Sequence, residues 1–329
     1  MSTTNNGEPG LGRPLLGSAS SGEGPTTGPQ SASRESQCAT TNSDHDPTTR
    51  MLATRNTGTN PRGPVAFGSA LIELAAQHIQ LRHANRTSRA SILGDADANV
   101  SLTSYGKRIS TVWQTIETIG AGSTRPRRLI LWLDDADALG DLPSSLRRLE
   151  ARGLEIRRCL DYGPHKKYFP YVNEIFPSEP DRTLVTADDD VLYPANWLND
   201  LLSAHRPNQV TAFRARIRGE GPYRTWPICQ TSEASDMVFA TGTSGVAYPP
   251  AVLLTLRHRG DAFTRVCPRA DDYWLHYATI ASGVQIRQVR ESAALWWSVP
   301  TARNRGLWDG TGTANDAIAD KTRRFWLEN

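Results

Sequence analysis

The chain has 329 residues, 38% of them hydrophobic and 22% charged, enough apolar material for one large α/β domain or two small ones. Its 37 basic and 34 acidic residues leave a formal charge of +3, a balance too even for a nucleic-acid binder, so no nucleic-acid partner is expected. No apolar run approaches the ~18 residues of a membrane span and no charged-then-apolar leader opens the chain, so a soluble protein of the cytoplasm with no membrane span is expected.

Residues 1–62 are rich in Ser, Thr, Gly, Pro and Asn with hardly any large apolar side chain, and read as a disordered low-complexity tail. Residues 63–97 read as an N-terminal helical segment, with Leu71, Leu74, Ala75, His78, Ile79 and Leu81 near helical spacing. His78 has no metal-binding partner at helical spacing and reads as packed or exposed. Cys38, Cys159, Cys229 and Cys267 contain no Cys-x-x-Cys pair, which indicates neither a zinc ribbon nor a disulfide framework and fits reduced thiols.

From 98 to 329 strands and helices alternate. A strand over 98–103 runs into the polar loop Ser104-Tyr105-Gly106-Lys107-Arg108. A helix follows with Ile109, Val112, Trp113, Ile116 and Ile119 on one face and Gly120 as its stop. A second strand covers 128–133 and ends at Asp134 and Asp135; Leu142, Leu146 and Leu149 mark a helix stopped by Gly153, and a third strand covers 154–158. This is the pattern of a doubly wound, mostly parallel sheet flanked by helices. Next, Asp161-Tyr162-Gly163-Pro164-His165-Lys166-Lys167 forms a turn onto another helix. Two lysines at a helix start call for an anion such as a diphosphate, unless the turn is merely a solvated basic one.

The run Thr183-Leu184-Val185-Thr186-Ala187 reads as a buried parallel strand ending in Asp188, Asp189 and Asp190. In open α/β sheets ligands sit outside the carboxyl ends of strands, and three adjacent like charges there call for a cation. With strand alternation Asp188 and Asp190 point one way and Asp189 the other, and such oxygen ligands suit Mg²⁺ or Mn²⁺ holding substrate phosphates. The alternative is a turn capping the helix over 195–202.

Beyond it come a strand over 209–216, a Gly-bearing loop Thr241-Gly242-Thr243-Ser244-Gly245 leading to Pro249-Pro250, and Asp271-Asp272 at the head of an apolar helix. The Asp271-Asp272 pair is either the acid–base group or a helix cap. A strand over 284–289, Trp296 and Trp297, a flexible polar loop through Asn304, Gly306, Gly310 and Gly312, and a helix from Ala314 close the chain, with Asn315-Asp316 at the helix start as a cap or a substrate contact.

Together Ser101-Leu102-Thr103-Ser104-Tyr105, Asp161 to Lys167, Thr186-Ala187-Asp188-Asp189-Asp190, Thr241-Gly242 with Gly245 and Pro249-Pro250, and Ala270-Asp271-Asp272-Tyr273-Trp274-Leu275 resemble bacterial glycosyltransferases of the GT-A fold, similar to family 2. The resemblance spans residues 98 to 320. It implies metal-dependent transfer of a sugar from a UDP- or GDP-linked donor to a saccharide or other hydroxyl acceptor, with inversion, in glycan or polysaccharide synthesis. It also implies that Thr103, Tyr105, Asp161, Lys167, Asp188 and Asp189 hold the nucleotide, ribose or phosphates. Asp188 and Asp190 then hold Mn²⁺ or Mg²⁺, and Asp272, with Asp271 second, is the acceptor-activating base. His165 departs from the family's usual aromatic, and no histidine after His276 can serve as the C-terminal metal ligand of many GT-A enzymes. A metal-dependent phosphohydrolase and a catalytically silent glycan-binding module stay open as other readings. Trp226, Trp274, Trp296 and Trp297 are offered either for stacking on sugars or for packing.

Overall fold

Leu129, Ile130, Leu131, Trp132 and Leu133 are all at 0% exposure, which consecutive strand residues reach only when both faces of their sheet are covered. The computed structural model of the protein describes residues 64–299 and 312–328; the expected tail over 1–62, Cys38 and the loop residues Asn304, Gly306 and Gly310 lie outside the described residues.

The strands are β1 (Ala96–Thr103), β2 (Pro126–Leu133), β3 (Leu154–Arg158), β4 (Thr183–Thr186), β5 (Gln209–Ala212), β6 (Ala215–Ile217), β7 (Val238–Ala240), β8 (Val246–Tyr248) and β9 (Gln285–Gln288). Seven of them form one sheet in the order β3-β2-β1-β4-β8-β5-β9, in which every pairing is parallel except those of β8. The helices are α1 (Pro64–Thr87), α2 (Trp113–Gly120), α3 (Ala136–Gly140), α4 (Ser144–Glu150), α5 (Phe169–Glu174), α6 (Trp197–Ala204), α7 (Pro250–Arg259), α8 (Phe263–Val266), α9 (Asp271–Ala281) and α10 (Gly312–Glu328).

Alternation along the strands divides the core in two. Leu129, Leu131 and Leu133 pack with α2, α4 and α6, whereas Ile130 and Trp132 pack with α5, α7 and α9. The result is a three-layer, Rossmann-like α/β arrangement with a mostly parallel sheet, as the alternating pattern predicts. Among the described residues no helix is long and apolar enough to cross a membrane. Cys159, Cys229 and Cys267 are free thiols, two of them buried.

Two local expectations are corrected. The buried stripe of α1 runs through Leu74, Leu81 and Ala84, while Ile79 is 67% exposed and Ala75 faces out. What seats this helix is polar as well as apolar. The Asn85 amide and Arg152 both donate to the buried Glu117, at 2.8 and 2.6 Å, and His78 bonds Gln114. Gly120 does end α2, as expected, and it also serves close packing, since a Cβ there would lie 2.5 Å from Ile92. Finally, the expected strand over 209–216 breaks in two. Val210, Ala212 and Ala215 all face the same core cluster, a spacing that leaves the two-residue period after Ala212, and β6 pairs with β7 in a separate antiparallel ribbon.

The chain runs β1, β2, β3 outward on one side and then returns to place β4 on the other side of β1, so a topological switch point lies between β1 and β4. Because β8 is antiparallel, with Val246 opposite Thr186, the loop entering β8 arrives at the edge where β4 ends. Thr103, Asp188 and Gly242 thereby come from three separate stretches to one sheet edge.

Candidate active site

The regular part of β4 ends at Thr186, and one further bond, from the Ala187 amide to the Ser101 carbonyl at 3.0 Å, prolongs its pairing with β1. The chain then bends at Asp189 and Asp190. Strand alternation therefore does not govern the aspartates, and the expected Asp188 with Asp190 pairing is corrected. Arg108, from the short 3-10 turn after β1, lies 2.8 Å from Asp189 and 2.5 Å from Asp190. The Ser104 hydroxyl donates to Asp189 at 2.6 Å. Asp188 turns elsewhere: its carboxylate accepts the Ser244 amide at 3.2 Å and lies 3.7 Å from the Lys167 amine.

Lys167 ends the 3-10 turn after β3, and its carbonyl accepts the Ser101 hydroxyl at 2.7 Å, which ties the turn to β1. Its amine lies 3.3 Å from Asp271. Lys166 reaches Asp134 at 2.7 Å. The anion that the two lysines call for is thus supplied in part by the protein's own carboxylates.

Asp271 and Asp272 occupy the first turn of α9, but the residue before them is Ala270 and neither aspartate caps the helix. The capping alternative is withdrawn. Asp272 instead accepts the Gly242 amide at 2.9 Å. A Cβ on Gly242 would stand 2.8 Å from that carboxylate and 3.1 Å from the Lys167 amine, so only glycine lets this backbone approach both. Two residues on, Ser244 has φ of +75°, a conformation non-glycine residues rarely hold, and its hydroxyl donates to the Ala294 carbonyl at 2.9 Å.

Burial dominates the electrostatics. It pushes the Asp272 carboxyl up to about 7, with the Asp271 charge adding to it and Lys167 opposing. It raises Asp189 to about 6 against the pull of Arg108, and it raises Asp188 against that of Lys167. Burial disfavours the Lys167 charge as well, yet Asp271, Asp188 and Asp272 hold its amine above the ordinary lysine range.

The other expected nucleotide contacts lie at the same sheet edge without joining the cluster. The Thr103 hydroxyl donates to the Trp132 carbonyl at 2.9 Å, Tyr105 is 39% exposed beneath the Arg108 guanidinium, and Asp161 accepts the Gly163 amide, which lowers its pKa. Trp226 and Trp274 are buried packing residues, and Trp296 packs edge-on against Phe213. Asp316 lies inside α10 and accepts the Tyr223 amide at 3.0 Å. A cleft of about 790 Å³ by Ile228, Cys229, Gln230 and Arg290 is lined by none of the aspartates.

Sequence reasoning missed Arg108, Ser244 and the hydroxyl of Tyr193, which accepts the Asp188 amide at 2.9 Å. Arg108 was within reach: three carboxylates call for a cation, and Arg108 stands in the polar loop at the neighbouring strand's end.

Among the described residues no group of three or more His, Cys, Asp or Glu side chains is placed to hold a metal ion. Asp188, Asp189, Asp190, Asp271 and Asp272 face two paired cations, Arg108 and Lys167, which leaves an excess of negative charge. A divalent ion, as the sequence leads one to expect, would draw on Asp190 and Asp188, whose carboxylates here turn to different cations, Arg108 and Lys167. Compared with protein-family models and with curated proteins, the chain matches none.

Proposed function

We propose that the protein is a glycosyltransferase of the GT-A type, which moves a sugar from a nucleoside-diphosphate donor to an acceptor hydroxyl. The observation that carries this reading is Asp272: a buried carboxylate, raised to about 7, oriented by the Gly242 amide at 2.9 Å beside the Lys167 and Asp188 pair at a sheet switch point. A bound Mn²⁺ or Mg²⁺ would supply Lewis-acid stabilisation of the departing diphosphate.

The chain's own residues do the rest. Asp272 takes the proton of the acceptor hydroxyl as its oxygen attacks the anomeric carbon; the bond from that carbon to the diphosphate breaks, and the electron pair leaves with the nucleotide. Direct attack inverts the anomeric centre. Lys167, kept charged by Asp271, Asp188 and Asp272, is the fixed cation for charge developing on the diphosphate. Thr103, Tyr105 and Asp161, at the ends of β1 and β3, lie where a nucleoside would rest.

Calorimetry with UDP or GDP in the presence of Mn²⁺ tests the donor half of the reading. Wild type should bind one of them, and Asp188→Ala and Asp190→Ala should bind neither. Unchanged affinity in both variants would return the aspartates to a structural role. A screen of sugar nucleotides in which inorganic phosphate is released without sugar transfer would favour a phosphohydrolase instead.

A further inference from the structure

The ribbon of β6 and β7 carries a group of side chains that the chemistry above leaves unused. Arg214, Arg216 and Arg218 cluster on the short strand β6: Arg216 lies within it, Arg214 stands at the bend before it and Arg218 directly after it, and all three are only partly exposed. Antiparallel register sets Arg216 opposite Phe239, and aromatic rings pack around this pair. The Arg216 guanidinium stands 5.0 Å from the Tyr223 ring centroid, and Phe239 lies 5.2 Å from Tyr273 and 5.0 Å from His276.

Among the described residues none of these three arginines is within ion-pair distance of a carboxylate, whereas Arg108, Arg128 and Arg152 all are. Buried hydrogen-bonding atoms without partners also concentrate here: the Nε atoms of Arg214, Arg216 and Arg218, the Tyr273 hydroxyl and both ring nitrogens of His276. Buried polar atoms nearly always find partners. Several unpartnered ones in a single patch, half of them donors on cationic groups, favour a ligand that accepts hydrogen bonds and carries negative charge.

The patch adjoins the candidate base. Arg214 donates to the Thr241 hydroxyl at 3.1 Å, and the next amide along, that of Gly242, orients Asp272. Asp272, Arg216 and Arg214 all lie within electrostatic reach of the Tyr223 hydroxyl. The geometry points to an acceptor that bears an oxyanion, a phosphate or a carboxylate, gripped by Arg214, Arg216 and Arg218 so that its hydroxyl meets Asp272. This rests on the glycosyltransferase reading and names the acceptor class. Among the described residues the nearby acids turn to backbone amides, Asp272 to Gly242 and Asp316 to Tyr223, and none forms an ion pair with these arginines.

The test titrates the full chain with inorganic phosphate and, separately, with glucuronate. Arg216 also donates to the Trp226 carbonyl and supports the fold, so the variants are made at Arg214 and Arg218. Wild type should bind at least one probe, and the probe bound more tightly identifies the oxyanion. Affinity should fall tenfold or more in Arg214→Gln and Arg218→Gln, recover in Arg214→Lys and Arg218→Lys, and stay unchanged in Asp190→Asn. No binding of either probe by wild type, or equal binding by the Gln variants, overturns the proposal. So does loss of binding in Asp190→Asn, which would put the anion at the donor's diphosphate. UDP or GDP with Mn²⁺, titrated into the same proteins, reads the donor side separately. Failure of that titration would count against sugar transfer while arginine-dependent anion binding remained measurable.

Discussion

The guanidinium of Arg108 lies 2.5 Å from the Asp190 carboxylate, so the group assigned to a divalent ion already has an internal cationic partner. The same guanidinium neutralises Asp189, which is only 7% exposed. Arg108 therefore has two opposing effects, one on stability and one on metal binding.

Arg108→Gln should lower unfolding free energy by about 3 kcal/mol, because it leaves the buried Asp189 charge uncompensated. Mn²⁺ affinity of the nucleotide-free protein should rise, since the competitor for Asp190 is gone. Chemical denaturation and a Mn²⁺ titration measure the two separately. Weaker Mn²⁺ binding in the variant would show that Arg108 does not compete with the ion.

Asp272→Asn should keep donor affinity close to wild type while transfer falls by about 10²- to 10⁴-fold, the usual worth of a positioned general base. Asp271→Asn acts differently, through Lys167 at 3.3 Å, and should weaken donor binding along with turnover. Nucleotide affinity and transfer rate, measured for both, separate the roles. Full activity in Asp272→Asn would remove that carboxylate from the mechanism.

Asp272 also predicts a pH signature in stability. An unfolded aspartate ionises near about pH 4, whereas burial raises the folded group to about 7, so between those values the folded chain holds the extra proton. The contribution of Asp272 to stability therefore falls as pH rises through that window. His165, His205 and His276, depressed by burial to about 4, about 4 and about 3, act with the opposite sign, because there the unfolded chain holds the extra protons. Asp272→Asn removes only the first contribution. Denaturation at about pH 5 and about pH 8 should show the variant gaining on wild type at the higher pH. A pH-independent difference would mean that Asp272 titrates like an exposed carboxylate.

Gly242→Ala should be harmful out of proportion to its size. The new Cβ, 2.8 Å from the Asp272 carboxylate and 3.1 Å from the Lys167 amine, forces one of them aside at a cost of about 1 to 3 kcal/mol, and transfer activity should drop with it. Gly140→Ala, with nothing near its Cβ, serves as the control and should be within about 0.5 kcal/mol of wild type. Equal melting temperatures and rates in the two variants would show that the loop entering β8 simply relaxes.

Strand patterns made the sheet legible in advance: the apolar run of β2 and the aspartates after β4 announce two covered faces and a ligand edge. What pairs across that edge was not legible. Lys167 meets Asp271, and Gly242 meets Asp272, through contacts between segments far apart in sequence, which leave no local periodicity. The rotation of Asp188 away from Asp190 was hidden for another reason: alternation holds only while the backbone is extended, and the strand stops before the aspartates do. The break between β5 and β6 escaped because residues 209–216 keep strand-forming chemistry throughout, and only packing shows that Ala212 and Ala215 share a core.

The segment after β9 is stitched to the aspartate loop by main-chain bonds, from the Val299 amide to the Asp190 carbonyl at 2.7 Å and from the Leu192 amide to the Trp297 carbonyl at 2.8 Å, while Ser244 ties it to the loop before β8. Mechanically this is a truss. Tension applied to the chain at residue 299 would load Asp190 directly and Asp188 through Ser244, whereas Asp272, braced from Gly242, sits off that line of force.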